Sequence, residues 1–295
     1  MNKPIVFQGT ATAMVTPFRN DEIDFISFGH LLERQTENGI DALVICGTTG
    51  EAATMSDCER LRVIEFAVRH SGAYVPIIAG TGSNSTAHAV ELTKEAVEVG
   101  CDAALVVTPY YNKATQIGLV SHYTTIADAS EVPIIIYNVP TRTGVNVEPK
   151  TYAELAEHPN IVAVKESGTN IVKIQEMLRL CGDKLTLYSG NDNQILPLLA
   201  LGGMGVVSVL SNLLPASVSE ICKEYFNGNN EKALKKQLEL LPLMEEIFVE
   251  VNPIPIKTLM AQKGLCTNEV RLPLTEMEPK NKEKIIALVE KYSNL

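Results

Sequence analysis

The sequence predicts an α/β fold, a (β/α)8 TIM barrel, followed by a C-terminal α-helical subdomain. Eight short runs of apolar, often β-branched residues recur along the chain. Their apolar residues are nearly continuous, as in strands that are buried on both faces. A segment with helical spacing follows each run. Eight consecutive strand–helix units are typical of a closed barrel.

Each element can be placed from its apolar pattern and its boundary residues. The predicted strands cover residues 10–16, 42–47, 75–80, 103–108, 133–138, 161–166, 185–190 and 205–209. The predicted helices cover residues 25–38, 56–71, 86–99, 116–130, 149–157, 171–181, 194–201 and 216–226. Ser56 with Glu59 predicts a capping box, and Gly39 and Gly100 predict helix C-terminal caps.

A doubly wound sheet is the competing architecture, and it usually carries a glycine-rich phosphate turn after its first strand. The nearest match, GTGSNS at residues 80–85, lacks the third glycine. The barrel is therefore the preferred interpretation.

The pattern changes after the eighth unit. The segment Gly228-Asn229-Asn230 predicts a turn, and helices are predicted at 231–251, after Pro253-Ile254-Pro255, and at 280–293. We therefore expect a catalytic barrel over residues 1–227 and a helical subdomain over residues 228–295.

Composition and charge exclude several functional classes. The 295 residues include 25 Lys and Arg against 35 Asp and Glu, a net charge of −10. Such a charge disfavours nucleic acid and acidic membrane surfaces as partners. The N-terminal residues do not resemble a signal peptide, no apolar run is long enough to span a membrane, and the six cysteines form no Cys-x-x-Cys pair. We expect a cytoplasmic protein.

Lys165 is the strongest candidate nucleophile. It lies in the apolar sixth strand, at the carboxyl end where barrel enzymes carry their active sites. Burial disfavours a charged ammonium, and the neutral amine can attack a ketone. The alternatives are a structural ion pair, for instance with Glu166, or a side chain that extends to the rim. Lys257 is the other lysine in an apolar setting, and we expect it to be exposed on one face of a helix.

Two further loops at the carboxyl ends of strands indicate anion binding and proton transfer. The loop GTTGE at 47–51 offers backbone N–H groups and the hydroxyls of Thr48 and Thr49 to a carboxylate, unless it is only a tight turn. In YNVPTRTG at 137–144, Tyr137 could move protons and Arg142 could bind a carboxylate, unless they are a core tyrosine and a surface arginine.

Metal-dependent and serine-hydrolase chemistry are disfavoured by the motifs. The five histidines form no His-x-x-x-His pair, and Gly-x-Ser-x-Gly is absent. We therefore expect neither a metal nor another cofactor.

The motifs, taken in order, closely resemble those of the dihydrodipicolinate synthase family, within the pyruvate-dependent class I aldolases. The resemblance covers nearly the whole chain. It rests on TATAMVTPF at 10–18, GTTGE at 47–51, AGTG at 79–82, TPYYNK at 108–113, YNVPTRTG at 137–144, VKE at 164–166 and GGMGVVSV at 202–209. It implies condensation of pyruvate with L-aspartate 4-semialdehyde to 4-hydroxy-tetrahydrodipicolinate, the first committed step of lysine and diaminopimelate synthesis.

The resemblance also implies the catalytic residues. Lys165 would form a Schiff base with pyruvate, and Tyr137 would act as general acid and base. Thr48 and Tyr111 would complete a proton relay, with Tyr111 reaching in from a neighbouring subunit of a homodimer or homotetramer.

The substrate-binding residues follow in the same way. Thr49 would hold the pyruvate carboxylate, Arg142 would bind the semialdehyde carboxylate, and Gly190 and Val207 would supply main-chain carbonyls near the pocket. The remaining alternatives are N-acetylneuraminate lyase or another sugar-acid aldolase, and a catalytically inactive barrel kept for ligand binding. Arg142 and the Thr48-Thr49 pair disfavour the lyase.

Regulation by lysine is a property of part of this family. Its inhibited members resemble this chain at Asn84 and Tyr110, but they have a glutamate in place of His88, and histidine or another neutral polar residue in place of Asp57 and Arg60. Because His88 cannot supply the negative charge that a lysine ammonium needs, we expect insensitivity to lysine.

Overall fold

Eight parallel strands close into a barrel in the computed structural model, which describes residues 3–292. The strands are β1 (Gly9–Ala13), β2 (Ala42–Ile45), β3 (Ile77–Gly80), β4 (Ala103–Val107), β5 (Ile134–Asn138), β6 (Ile161–Glu166), β7 (Thr186–Ser189) and β8 (Gly205–Ser208). Each strand pairs with its neighbours in sequence, and Gly9 pairs with Gly205 to close the barrel between β1 and β8. The predicted fold class is confirmed.

A helix follows every strand and covers the outside of the barrel. These helices are α1 (Phe25–Glu37), α2 (Asp57–Ser71), α3 (Thr86–Glu98), α4 (Gln116–Asp128), α5 (Pro149–Leu155), α6 (Ile171–Cys181), α7 (Ile195–Ala200) and α8 (Pro215–Phe226). The capping box at Ser56 and Glu59 is present at the start of α2. Gly39 and Gly100 follow α1 and α3 with φ of 70° and 95°, as expected for C-terminal caps.

The structure differs from the predicted elements in a few places. Strand β1 ends at Ala13, because the buried Met14 and Val15 belong to the loop above the barrel. Burial makes that loop as apolar as a strand, so composition could not separate the two. The sequence analysis also missed a small hairpin, Phe18–Arg19 paired with Glu22–Ile23, and a one-turn helix, Pro140–Thr143.

Three further helices follow the barrel: α9 (Asn230–Glu246), α10 (Ile254–Gln262) and α11 (Pro279–Val289). Helix α9 ends five residues before the predicted end at 251, and a 3-10 turn, Glu290–Tyr292, follows α11. The last predicted position of that helix, Ser293, lies outside the described residues. Within residues 3–292, no helix has the length and apolar character needed to cross a membrane.

The amino end of the barrel is closed by two aromatic residues. Phe7 and Tyr188 stack with their ring centroids 4.1 Å apart. The Tyr188 hydroxyl donates to the carbonyl oxygen of Phe7 at 2.7 Å, and both side chains are buried. Apolar strand side chains fill the interior above them. The carboxyl ends of the strands are therefore the place for a site.

Candidate active site

Lys165 and Tyr137 lie side by side at the carboxyl end of the barrel. They face each other in the register between β5 and β6, so that both side chains point into the barrel. The Lys165 Nζ atom lies 4.1 Å from the centroid of the Tyr137 ring. Lys165 is 6% exposed and Tyr137 is 8% exposed. The amine is thus held in a largely buried position against an aromatic face.

Glu166 does not pair with Lys165. Its carboxylate accepts hydrogen bonds from Asn138 Nδ2 and the Tyr152 hydroxyl, both at 2.9 Å, and from the Gly168 N–H. Burial raises the pKa of Glu166, and these donors oppose the increase. Among residues 3–292, no carboxylate oxygen lies within 4 Å of the Lys165 amine. The Lys165–Glu166 ion pair considered above is therefore not formed.

Asp192 is a buried carboxylate on which the charge of Lys165 acts. Burial raises the pKa of Asp192, while hydrogen bonds from Ser208, Val209 and Leu210 and the charge of Lys165 lower it. The Ser208 hydroxyl lies 2.5 Å from Asp192 Oδ1. Sequence analysis missed this residue, and a carboxylate directly after the seventh strand was the available signal.

The loop at 47–51 follows β2 and forms a tight turn. The N–H groups of Gly50 and Glu51 donate within the loop, to the carbonyls of Gly47 and Thr48, each at 3.1 Å. In the part of the chain that the structure describes, the N–H groups of Thr48 and Thr49 have no acceptor. Two unpaired amides beside two hydroxyls can bind a carboxylate. Thr48 is exposed and Thr49 is buried.

A cavity of about 280 Å³ lies at the carboxyl ends of β2, β3, β4 and β5. Its lining includes Thr48, Tyr137 and Arg142. Arg142 stands on the one-turn helix Pro140–Thr143, and its exposed guanidinium lies 3.5 Å from the carbonyl oxygen of Asn252. The structure therefore brings three of the predicted residues to one cavity, and the Lys165 amine lies 4.1 Å from the centroid of the Tyr137 ring that lines it.

The other predicted residues fall into two groups. A Cβ on Gly190 would lie 3.2 Å from the Lys165 Cε atom, so Gly190 lies against the lysine side chain. The Val207 side chain is buried in the barrel interior. Tyr111 is not brought to the cavity within this chain, since it is 90% exposed on the rim with a left-handed φ of 74°.

A family model identifies the chain. Residues 6–292 match the dihydrodipicolinate synthetase family. The chain belongs to that family. A 4-hydroxy-tetrahydrodipicolinate synthase from Thermoanaerobacter sp. strain X514 is 49% identical, with 98% of each chain covered.

Solved structures of this family are also similar. The dihydrodipicolinate synthase of Aquifex aeolicus has a TM-score of 0.95 and 45% identity, over 97% of this chain and 98% of that one. The chloride-inhibited dihydrodipicolinate synthase of Acinetobacter baumannii, solved with pyruvate, has a TM-score of 0.95 and 40% identity, over 98% and 99%.

The C-terminal helices supply contacts to this dihydrodipicolinate synthetase site that sequence analysis missed. Asn252, just before α10, donates from Nδ2 to the Thr49 hydroxyl oxygen at 2.9 Å. Lys257, which we expected to be exposed on one face, is fully buried, and this expectation was wrong. Its Nζ atom lies 2.5 Å from Glu51 Oε1, because α10 packs against the loop at 47–51. An ion pair with a distant residue compensates the buried charge.

The residues predicted to control lysine binding also come together. His88 Nε2 lies 3.0 Å from Asp57 Oδ2, and Arg60 Nη1 lies 3.9 Å from Asp57 Oδ1. Arg60 also donates to the carbonyl of Gly80 at 2.7 Å. The one carboxylate of this cluster is therefore already occupied by two basic side chains. The expected insensitivity to lysine stays a prediction.

Proposed function

We propose that this enzyme condenses pyruvate with L-aspartate 4-semialdehyde through a Schiff base on Lys165. The observation that carries the assignment to Lys165 is its buried amine, held against Tyr137 at the carboxyl end of the barrel with no carboxylate partner among residues 3–292. Family membership and the 49% identical synthase support the same reaction.

The chemistry follows from an amine placed beside a proton donor. The Lys165 amine attacks the ketone carbon of pyruvate, and water leaves as the carbon–nitrogen double bond forms. The iminium then withdraws electrons from the methyl group, so that loss of a methyl proton gives an enamine. The enamine carbon attacks the aldehyde carbon of the second substrate, and the new oxygen takes a proton. Tyr137 is the proposed acid and base for these transfers.

Release of the product needs no further reactant. The amino group of the semialdehyde portion attacks the iminium carbon and displaces the lysine nitrogen, which closes the ring of 4-hydroxy-tetrahydrodipicolinate. Lys165 leaves as the free amine, ready for another pyruvate.

The loop at 47–51 is the proposed site for the pyruvate carboxylate. The amides of Thr48 and Thr49, which have no acceptor within residues 3–292, and the Thr49 hydroxyl support this assignment. Arg142, exposed at the mouth of the cavity, is the proposed partner for the semialdehyde carboxylate. Gly190 and Val207 would contribute main-chain carbonyls around the Schiff base.

The enzyme is proposed to act as a homodimer or homotetramer in the cytoplasm. The exposed Tyr111 ring supports an assembly in which this side chain reaches the site of a neighbouring copy and completes the proton relay of that copy's Tyr137 and Thr48. The six free cysteine thiols fit the reducing cytoplasm.

Borohydride trapping tests the assignment. The enzyme is incubated with pyruvate and sodium borohydride, digested, and mapped by mass spectrometry. We expect one reduced pyruvate adduct on Lys165, and parallel assays should show turnover only with L-aspartate 4-semialdehyde added. An adduct on Lys257, or no adduct at all, would contradict the proposal.

A further inference from the structure

The C-terminal helices hold the loop at 47–51 at two points. Asn252 binds the Thr49 hydroxyl, and Lys257 binds the Glu51 carboxylate two residues further on. Both contacts join segments about two hundred residues apart in sequence. Asn252 lies just before α10, and Lys257 lies within it. The loop conformation therefore depends on the subdomain as well as on the barrel.

Lys257 and Glu51 form a buried ion pair with further hydrogen bonds on both sides. Their side chains are 0% and 1% exposed. The Lys257 amine also donates to the carbonyl of Glu269 at 2.7 Å and lies 4.5 Å from the centroid of the Phe18 ring. Glu51 Oε2 accepts the N–H of Arg271 at 3.2 Å. Every charged end thus has a defined partner.

Stability alone does not explain such a pair. Removing two charges from water costs several kcal/mol per ion, and well-packed apolar residues are often as stable in the same place. The pair does, however, impose one geometry on the residues that carry it. That property matters where a loop must be held in one conformation.

The backbone conformation of the loop is unfavourable at Glu51 and requires stabilising contacts. This residue has a left-handed φ of 56°, which is unfavourable for a residue with a long side chain. Its N–H closes the turn onto the carbonyl of Thr48 at 3.1 Å. The same turn leaves the amides of Thr48 and Thr49 without acceptors among the residues that the structure describes. Fixing the Glu51 side chain therefore fixes the backbone that presents those amides.

We propose that Lys257 and Glu51 are positioning residues that hold the loop at 47–51 in the conformation that binds the pyruvate carboxylate. This inference rests on the proposed function of that loop. It assigns the C-terminal helix α10 a part in substrate affinity, through the loop and without touching the substrate.

The test compares pyruvate affinity with stability in Lys257→Met, Glu51→Gln and the double variant. Concentration-dependent borohydride trapping gives the pyruvate half-saturation, and steady-state assays give both Michaelis constants and kcat. We expect pyruvate half-saturation to rise about ten- to a hundredfold, because small displacements of positioned groups have effects of that size. The Michaelis constant for the semialdehyde should change by less than about threefold.

Two control variants separate positioning from loss of stability. Lys263→Met removes an exposed lysine one residue beyond α10 and should leave all parameters at the wild-type values. Leu259→Ala creates a cavity in the same helix, so it should lower the melting temperature while pyruvate half-saturation stays near the wild-type value.

If a single variant fails to fold, the double variant tests the positioning role, since it leaves no unpaired buried charge. Weak pyruvate binding by a folded double variant supports the proposal. The proposal is overturned if the double variant binds pyruvate like the wild type, or if Leu259→Ala weakens pyruvate binding as much as the ion-pair variants do. Failure of the wild type to trap pyruvate would instead refute the proposed function.

Discussion

Replacing Arg142 by alanine should separate the binding of the two substrates. Within the described part of the chain, the guanidinium makes one hydrogen bond, a long one of 3.5 Å to the carbonyl of Asn252, and it is exposed. The substitution should therefore change the free energy of unfolding by no more than about 0.5 kcal/mol. Under the proposed function, it also removes a charged contact to the second substrate.

The size of the kinetic effect follows from that contact. A hydrogen bond to a charged group contributes about 1.5–3 kcal/mol, and about 1.4 kcal/mol corresponds to a factor of ten. We therefore expect kcat/KM for the semialdehyde to fall about ten- to 150-fold. Borohydride trapping of pyruvate should be unchanged, because Lys165 and the loop at 47–51 remain intact.

The assay pairs a coupled steady-state measurement with trapping, and Arg69→Ala serves as the control. Arg69 is an exposed arginine of α2, with a salt bridge to Glu65. Its removal should leave both readouts unchanged. If Arg142→Ala reduces pyruvate trapping as much as it reduces semialdehyde turnover, then Arg142 organises the whole site and our assignment is wrong.

Three further outcomes are expected. Lys165→Ala should abolish the borohydride adduct and nearly all turnover while the circular dichroism spectrum is retained; a full adduct on the variant would exclude Lys165 as the nucleophile. Millimolar L-lysine should leave the initial rate unchanged, because His88 supplies no negative charge; half-inhibition below the millimolar range would show that another carboxylate serves the ligand. Burial lowers the pKa of His122 to about 4, so the folded state favours the neutral ring. At a pH above the unfolded pKa of about 6.5, His122 is neutral in both states and the folded state loses no stability. As the pH falls toward 4, the unfolded chain takes up a proton that the folded chain does not, and the free energy of unfolding decreases. Urea unfolding at pH 7 and pH 4.5 should therefore show a loss of up to about 3 kcal/mol in the wild type that His122→Gln lacks, and equal losses would contradict it.

The local pattern was sufficient for the barrel and for Lys165. Strand β6 coincides with its predicted bounds, and the capping box at Ser56 formed as predicted, because both depend on residues adjacent in sequence. The buried lysine was predictable because the four residues before it on β6, Ile161 to Val164, are all apolar. These features need no knowledge of distant contacts.

The contacts of the C-terminal segment depend on such knowledge. The partner of Lys257 is Glu51, 206 residues away, and Asn252 meets Thr49 at a similar separation. No local pattern specifies a pair of this kind. One signal was available in α10, since a helix that is apolar on all sides is usually buried. Its residues from Ile254 to Met260 are all buried, including the lysine.

The stacked rings of Phe7 and Tyr188 restrict the route by which substrates and product enter and leave the barrel. Since the barrel is filled from below, both substrates and the product must share the mouth at the carboxyl ends of the strands. In the proposed mechanism pyruvate enters first, because the enamine formed on Lys165 is what attacks the semialdehyde. The semialdehyde then occupies this mouth until the ring of the product has closed. In that mechanism, excess semialdehyde at the shared mouth hinders product release and slows turnover. Excess pyruvate only shortens the time before the next Schiff base forms.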